Sequence, residues 1–167
     1  SDVEILRFPI IDENEWKFMA DEKIDEFSNF ILNEKPKIIL LTSPDNPTSK
    51  VLSDEFIKKT LEAVKKVGGF LIIDFAYKEL VYDDKLPSYF SWSPNDNLIL
   101  LRSNSKWCRG LGRRLGWIEA PKFVINAMES IQSSTILCPD TLHQMALTKF
   151  INDSIDDDTL TNYISET

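Results

Sequence analysis

Residues 70–77 read Phe-Leu-Ile-Ile-Asp-Phe-Ala-Tyr, and this stretch decides the predicted fold. Residues 70–73 form a short apolar run, which is typical of a buried strand in a parallel sheet. Asp74 and Tyr77 follow this run directly. Because ligands of open α/β sheets bind beyond the carboxyl ends of the strands, we expect both side chains to face a ligand site.

Short apolar runs and longer segments with helical spacing alternate on both sides of this stretch. We predict strands over residues 4–9, 37–42, 70–74, 97–102 and 115–120. We predict helices over residues 22–33, from the N-cap Ser53 to Gly68, and over residues 122–132, 141–152 and 160–167. This alternation indicates an α/β fold in which helices flank a mostly parallel sheet.

The composition limits the classes of partner. The chain has 167 residues, of which 43% are apolar and 28% charged, as expected for one globular domain. A net charge of −8 without a basic stripe argues against binding to nucleic acid or anionic membranes, so small molecules are the expected partners. No apolar run approaches the roughly 20 residues of a membrane helix, and no signal peptide is visible, so we expect a cytoplasmic protein.

The two cysteines and the single histidine do not form a recognisable metal motif. Cys108 and Cys138 have no ligand spacing to each other or to His143. We therefore predict free thiols, no disulfide and no metal site. We expect His143 to pack against its neighbours or to lie on the surface.

Polar loops follow three consecutive predicted strands, at residues 43–49, 74–77 and 103–106. Parallel strands place such loops along one edge of a sheet. Each loop also has a simple structural explanation: Asn46 starts a turn, Asp74 caps one, Tyr77 packs, and a cluster of lysine and arginine faces solvent. Their occurrence together, in this order, favours a common site.

An aldehyde cofactor that contains a pyridine ring and a phosphate needs a specific set of protein groups. A lysine amine forms a Schiff base with the aldehyde, a carboxylate keeps the pyridine nitrogen protonated, donors bind the ring hydroxyl, and further groups bind the phosphate. The loops supply a candidate for each requirement: Lys106, Asp74, Asn46 with Tyr77, and Ser103 with Arg114.

These loops resemble the motifs of the fold-type I pyridoxal-phosphate-dependent aminotransferases, the aspartate aminotransferase superfamily. Residues 46–49, Asn-Pro-Thr-Ser, are similar to the family's Asn-Pro-Thr-Gly loop. Residues 74–77 are similar to its Asp-x-x-Tyr segment, and residues 103–106 to its Ser-x-Ser-Lys segment. Gly112, Arg114 and Gly116 lie at the corresponding steps after the lysine. The resemblance implies that the chain is part of the family's large, cofactor-binding domain.

The resemblance also implies roles for individual residues. Lys106 would carry pyridoxal phosphate as a Schiff base and move the substrate proton, with Asp74 at the pyridine nitrogen. Asn46 and Tyr77 would bind the ring oxygen, and Ser103 and Arg114 the phosphate. On this basis the catalytic residues are Lys106, Asp74 and Tyr77, and the reaction moves an amino group from an L-amino acid to a 2-oxo acid in a homodimer.

Some features depart from the family pattern. Ser49 replaces the usual glycine, which would strain the turn if φ is positive there. Phe75 stands where an acidic residue is common, and residues 107–109, Trp-Cys-Arg, are unusual after the lysine. The family's glycine-containing phosphate loop, its cofactor-stacking aromatic and its substrate-binding arginine lie outside the region covered here. We therefore expect a fragment, without the N-terminal segment and the C-terminal small domain, that is inactive or nearly so.

Other functions remain open at this point. Leu101-Arg102 before the lysine segment resembles the branch that contains histidinol-phosphate aminotransferases and threonine-phosphate decarboxylases, where Arg109 or Arg113 would lie near a phosphorylated substrate. A surface or subunit-interface ion pair is the more common role for such arginines. A decarboxylase or lyase, or a non-catalytic aminotransferase-like regulatory domain, would use the same fold. Flanking sequence separates these: a downstream substrate arginine favours an enzyme, and an upstream helix-turn-helix favours a regulator.

Overall fold

The computed structural model describes residues 3–110, 112, 114–138, 140–157 and 159–166. Arg113, which the sequence placed near a substrate in one interpretation, therefore lies outside the described residues, as does Thr167 at the end of the last predicted helix.

The centre of the fold is a four-stranded sheet with the order β3-β4-β5-β6. Its strands are β3 (Ile38–Thr42), β4 (Phe70–Asp74), β5 (Leu98–Ser103) and β6 (Gly116–Glu119). β3, β4 and β5 are parallel, and β6 is antiparallel to β5. The prediction of a mostly parallel sheet is therefore confirmed, and four of the predicted strands occur where the apolar runs placed them.

Five helices surround the sheet in the described part of the chain: α1 (Ile24–Glu34), α2 (Asp54–Val67), α3 (Lys122–Thr135), α4 (Thr141–Asp156) and α5 (Leu160–Ser165). Each corresponds to a predicted helix. Ser53 caps α2, since its side chain accepts a hydrogen bond from the backbone N–H of Phe56 at 3.1 Å. Gly68 ends α2 in the left-handed conformation, with a φ of 68°.

The strand predicted over residues 4–9 is wrong. In the described structure this segment pairs with no strand, and a two-stranded hairpin follows it, formed by β1 (Ile11–Asp12) and β2 (Lys17–Phe18). The segment is attached through Phe8, whose ring lies 4.9 Å from that of Phe27 in α1. A strand requires a neighbouring backbone to pair with, and the apolar pattern of the segment carries no information about that neighbour.

The hydrophobic core lies on one face of the sheet. Leu71, Ile73, Leu98 and Leu100 point to this face and are fully buried in one cluster with residues of α1 and α2. The opposite face is less covered, because Ile38 and Leu40 of the edge strand β3 remain 59% and 63% exposed. The sheet is therefore apolar on both faces, and its second face is buried at Ile99 but open at the edge strand β3.

Candidate functional site

Parallel pairing places the three predicted loops side by side. Thr42 is opposite Asp74 in the register of β3 and β4, and Asp74 is opposite Leu101 of β5. The ladder continues beyond the strands: Ser43 donates its backbone N–H to the carbonyl of Asp74 at 3.1 Å, and Phe75 donates to that of Leu101 at 2.9 Å. The loops therefore share one edge of the sheet, as predicted.

Tyr77 connects two of these loops. The amide Nδ2 of Asn46 donates a hydrogen bond to the hydroxyl of Tyr77 at 3.0 Å. The ammonium Nζ of Lys106 lies 5.0 Å from the centroid of the Tyr77 ring, within the range of a cation–π contact. The side chains of Asn46, Tyr77 and Lys106 thus come together, although they come from three separate loops.

Five of the six predicted site residues line one cavity of about 1030 Å³: Asp74, Tyr77, Ser103, Lys106 and Arg114. Asn46 joins them through its bond to Tyr77. Asp74 is oriented by a local bond, since its Oδ1 accepts the backbone N–H of Ala76 at 2.9 Å. Side chains of α3 and α4 form the opposite wall of this cavity.

A buried hydrogen-bond network anchors the loop that carries Asn46. The hydroxyl of Tyr89 donates to the carbonyl of Leu52 at 2.9 Å and lies 2.6 Å from Oγ of Ser43. Because the phenolic proton goes to Leu52, Ser43 is the donor in the second bond. Ser43 Oγ also accepts the backbone N–H of Leu52 at 3.0 Å. Burial raises the pKa of Tyr89 to about 12.

Two of the departures from the family motifs, Ser49 and Phe75, differ in their structural consequences. Ser49 adopts a φ of 58°, so the condition under which the replacement of glycine strains this turn is met. Phe75 is fully buried and points away from the site, and its ring centroid lies 5.5 Å from that of Phe90. The guanidinium of Arg102 covers the Phe75 ring at 4.9 Å and binds Glu119 at 3.0 Å. Phe75 is therefore part of the core.

The turn that carries Lys106 has two neighbours that sequence reasoning did not predict. Asn104 is fully buried, and its Nδ2 lies 2.7 Å from Nε2 of His143 in α4. His143 is half-buried, in agreement with the packing role expected for it, but its contact is with the lysine turn itself. No local pattern relates Asn104 to His143, because the two residues are 39 positions apart.

Arg109 faces a different part of the molecule. Its Nη2 donates to the carbonyl of Glu166 at 2.8 Å, and its guanidinium lies 5.1 Å from the Tyr163 ring in α5. Arg109 is thus held at the C-terminal helix by a carbonyl and an aromatic ring, which is a structural contact of a different kind from the expected ion pair.

The set of groups in the cavity fits a phosphorylated pyridine aldehyde. An amine, a carboxylate, a phenol, a hydroxyl and a guanidinium face one space, and these are the chemical types that such a cofactor requires. Residues 1–166 match the sequence model of the family described as aminotransferase class I and II. The chain belongs to this family. Aminotransferases of class I and II use pyridoxal phosphate, so the donor set and the family point to the same cofactor.

Individual relatives of this aminotransferase-family chain are similar over most of its length. It is 33% identical to an aspartate aminotransferase of Thermotoga maritima over 120 residues, which are 71% of this chain and 32% of that protein. It is 33% identical to histidinol-phosphate aminotransferase 2 of Archaeoglobus fulgidus over 102 residues, 61% of this chain and 28% of that protein. The chain spans about a third of the length of these relatives.

Solved structures confirm the fold. The aromatic aminotransferase of Pyrococcus horikoshii superimposes with a TM-score of 0.74 at 25% identity, over 92% of this chain and 40% of that structure. The resemblance to fold-type I aminotransferases is therefore confirmed for both sequence and structure. Within the described residues, the helices are too short or too polar to cross a membrane.

Proposed function

We propose that this chain is the cofactor-binding core of a pyridoxal-phosphate-dependent aminotransferase, in which Lys106 holds the cofactor. The observation that supports this most directly is that Lys106, Asp74 and Tyr77 line one cavity with Ser103 and Arg114. The relatives named above are aminotransferases, which favours transfer of an amino group from an L-amino acid to a 2-oxo acid over decarboxylation.

Lys106 and Asp74 carry the proton chemistry in this proposal. When bound, pyridoxal phosphate supplies an electron sink for the negative charge at the substrate α-carbon. Lys106 would bind the cofactor through Nζ and would act as base and acid for the proton at the substrate α-carbon. The carboxylate of Asp74, at the end of β4, would bind the pyridine nitrogen and keep a proton on it.

Tyr77 and Asn46 orient the ring. Because Asn46 donates to the hydroxyl oxygen of Tyr77, the phenolic proton remains available for the ring oxygen of the cofactor. Asn46 carries a second amide N–H that can also donate to the ring oxygen of the cofactor. Both groups thus act as donors to an oxygen that carries negative charge, where hydrogen bonds are strongest.

Ser103 and Arg114 bind the phosphate in this proposal. Oγ of Ser103 accepts the backbone N–H of Ser105 at 3.1 Å, so its own proton is free to donate to a phosphate oxygen. Arg114 supplies the positive charge and a planar pair of N–H donors, the geometry that suits phosphate.

The domain organisation and the partners belong to the same proposal. Since the chain spans about a third of its relatives' length, we propose that it is part of the large domain and that other segments complete the substrate site. The chain by itself would then have little or no aminotransferase activity. The parent protein is proposed to be a cytoplasmic homodimer that acts on amino acids and 2-oxo acids.

Chemical trapping tests the role of Lys106. The purified chain is incubated with pyridoxal phosphate and reduced with borohydride, and the modified lysines are located by peptide mass spectrometry. We expect the adduct to concentrate at Lys106 and to disappear from that peptide in Lys106→Ala, whereas Lys50→Ala, at an exposed position, leaves the labelling unchanged. Labelling spread evenly over all lysines in the full-length protein as well would contradict the proposal.

Activity is tested on the full-length protein that contains this chain. We expect ping-pong amino-group transfer that Lys106→Ala abolishes. Release of carbon dioxide from the amino acid, without formation of a 2-oxo acid, would show instead that the protein is a decarboxylase.

A further inference from the structure

The turn that carries Lys106 begins at Asn104, which several hydrogen bonds hold in place. Asn104 is fully buried and makes bonds to three parts of the fold. Its backbone N–H donates to Leu115 at 3.4 Å, and its carbonyl accepts the N–H of Cys108 at 3.3 Å. Its side-chain amide lies 2.7 Å from Nε2 of His143. The position of Asn104 therefore depends on Leu115, which directly precedes β6, on the turn itself and on α4.

Close packing keeps the Asn104 side chain in one place. A Cβ atom added to Gly110 would lie 2.6 Å from Nδ2 and 3.0 Å from Cγ of Asn104, so only glycine leaves room there. The Asn104 amide therefore packs directly against Gly110, and its side chain is fully buried. The hydrogen bond to His143 connects this buried side chain of the lysine turn to α4.

His143 is itself held in place by the start of α4. Its backbone N–H donates to Oδ1 of Asp140 at 3.0 Å, which caps the helix and holds the backbone from which the imidazole extends. With Nδ2 of Asn104 as the donor, Nε2 of His143 accepts and the ring proton resides on Nδ1.

One atom of the Asn104 amide has no partner in the described structure. This atom is Oδ1, which is buried. If the amide were rotated by half a turn, Oδ1 would accept from Nε2–H and the amide nitrogen would be the unpaired atom. In both orientations His143 supplies a hydrogen bond to the buried Asn104 amide, whose other polar atom already lacks a partner in the described structure. Loss of His143 would therefore remove a hydrogen bond that this buried amide needs.

We infer that His143 is a positioning residue for Lys106 and acts through Asn104. This inference rests on the proposed role of Lys106 as the cofactor lysine. A lysine side chain has four flexible carbons, so the amine reaches a fixed point only if its backbone is held. His143 holds the residue that begins the turn, two positions before the lysine.

The test compares two substitutions at one position. His143→Gln keeps a hydrogen-bonding group within reach of Asn104, whereas His143→Leu removes it at similar volume. Leu142→Ala is the matched control, because Leu142 is the preceding residue of α4 and is 79% exposed. Each purified variant is titrated with pyridoxal phosphate, and the visible spectrum at saturation gives the fraction of bound cofactor that is linked to lysine.

We expect His143→Leu to weaken pyridoxal phosphate binding about threefold to tenfold, the effect of one hydrogen bond to a buried group. The lysine-linked fraction at saturation should fall as well, whereas His143→Gln and Leu142→Ala should stay within about twofold of the unmodified chain. A structural role alone would lower the unfolding midpoint without changing the linked fraction.

A second pair of variants tests whether the effect passes through Asn104. In an Asn104→Leu background, His143→Leu should have little further effect, because the link is already absent. Equal effects of His143→Leu in both backgrounds, or full cofactor linkage in His143→Leu, would overturn the inference. Absence of Lys106 labelling in the unmodified full-length protein would instead refute the proposed function, so the two failures are distinguishable.

Discussion

Tyr77 is central to the site at the scale of single residues. It accepts a hydrogen bond from Asn46 and its ring lies 5.0 Å from the Lys106 ammonium, so one side chain contacts two other loops. Because Asn46 donates to the Tyr77 oxygen, the phenolic proton is left to donate to another group. This arrangement depends on the turn of residues 46–49, which contains a strained residue.

Ser49→Gly should stabilise the chain. Ser49 is exposed and has a φ of 58°, a conformation that is unfavourable for residues with a Cβ atom. Glycine removes this strain but loses more chain entropy on folding, so we expect a net gain of about 0.5–1 kcal/mol. Urea unfolding at neutral pH, followed by circular dichroism, measures the change.

The neighbouring Lys50 provides the control for this prediction. Lys50 is also exposed, but its φ is not positive. Lys50→Gly should therefore lower the free energy of unfolding by about 0.5–1 kcal/mol. If both glycine variants shifted stability in the same direction, the positive φ of Ser49 would not be the cause.

At the scale of elements, the hydrogen bonds of the Tyr89 hydroxyl join the end of β3 to the segment before α2. Tyr89 lies in a short 3₁₀ helix, Ser88–Ser91, and binds both Ser43 and Leu52 with its hydroxyl. Asp54 in the first turn of α2 anchors the same short helix, because its carboxylate accepts bonds from Ser88 and Tyr89. Three elements are thus fixed around the loop that presents Asn46.

Tyr89 should make stability depend on pH in the alkaline range. Burial raises its pKa to about 12, above the value of about 10 for an exposed tyrosine. The neutral phenol therefore stabilises the fold fully below about pH 10, and this contribution is lost as the pH rises through about 12. The expected loss is about 3 kcal/mol in the free energy of unfolding.

Tyr89→Phe isolates this contribution from that of other groups that titrate at high pH. The variant should be less stable at neutral pH by about 1–3 kcal/mol, because Leu52 and Ser43 lose a buried partner. The difference between the two proteins should then shrink between about pH 10 and about pH 12 in urea unfolding experiments. Parallel losses of stability in both proteins would contradict the assignment.

The whole molecule has one buried and one partly open sheet face. Ile38 and Leu40 are exposed on the edge strand β3, whereas Ile39 between them is buried at 9% exposure. Exposed apolar side chains on an edge strand tend to bind apolar dyes and to associate with other chains.

Replacing both exposed residues should reduce association without loss of stability. We expect the Ile38→Lys and Leu40→Lys double variant to bind less of an apolar fluorescent dye and to stay monomeric to higher concentration. Its free energy of unfolding should change by no more than about 0.5 kcal/mol per site. Ile39→Lys is the control and should destabilise the chain by about 3 kcal/mol or more, because it buries a charge.

Local sequence patterns determined most of the elements and the chemical content of the site. The apolar run at residues 70–73 predicted β4, and Ser53 predicted the start of α2, because both signals arise from interactions within a few residues. The order of polar loops after parallel strands was enough to predict that Asp74, Tyr77, Lys106 and their partners meet, since strand direction alone decides which ends share an edge.

Features that depend on contacts between residues far apart in the sequence were decided only by the tertiary structure. Residues 4–9 have a strand-like pattern but pair with no strand in the described structure. Phe75 occupies a motif position yet faces the core, and His143 reaches Asn104 across 39 positions. The physical reason is the same in each case: backbone pairing, burial and side-chain hydrogen bonds between distant segments form only when packing brings both partners together, and neither partner's local sequence identifies the other.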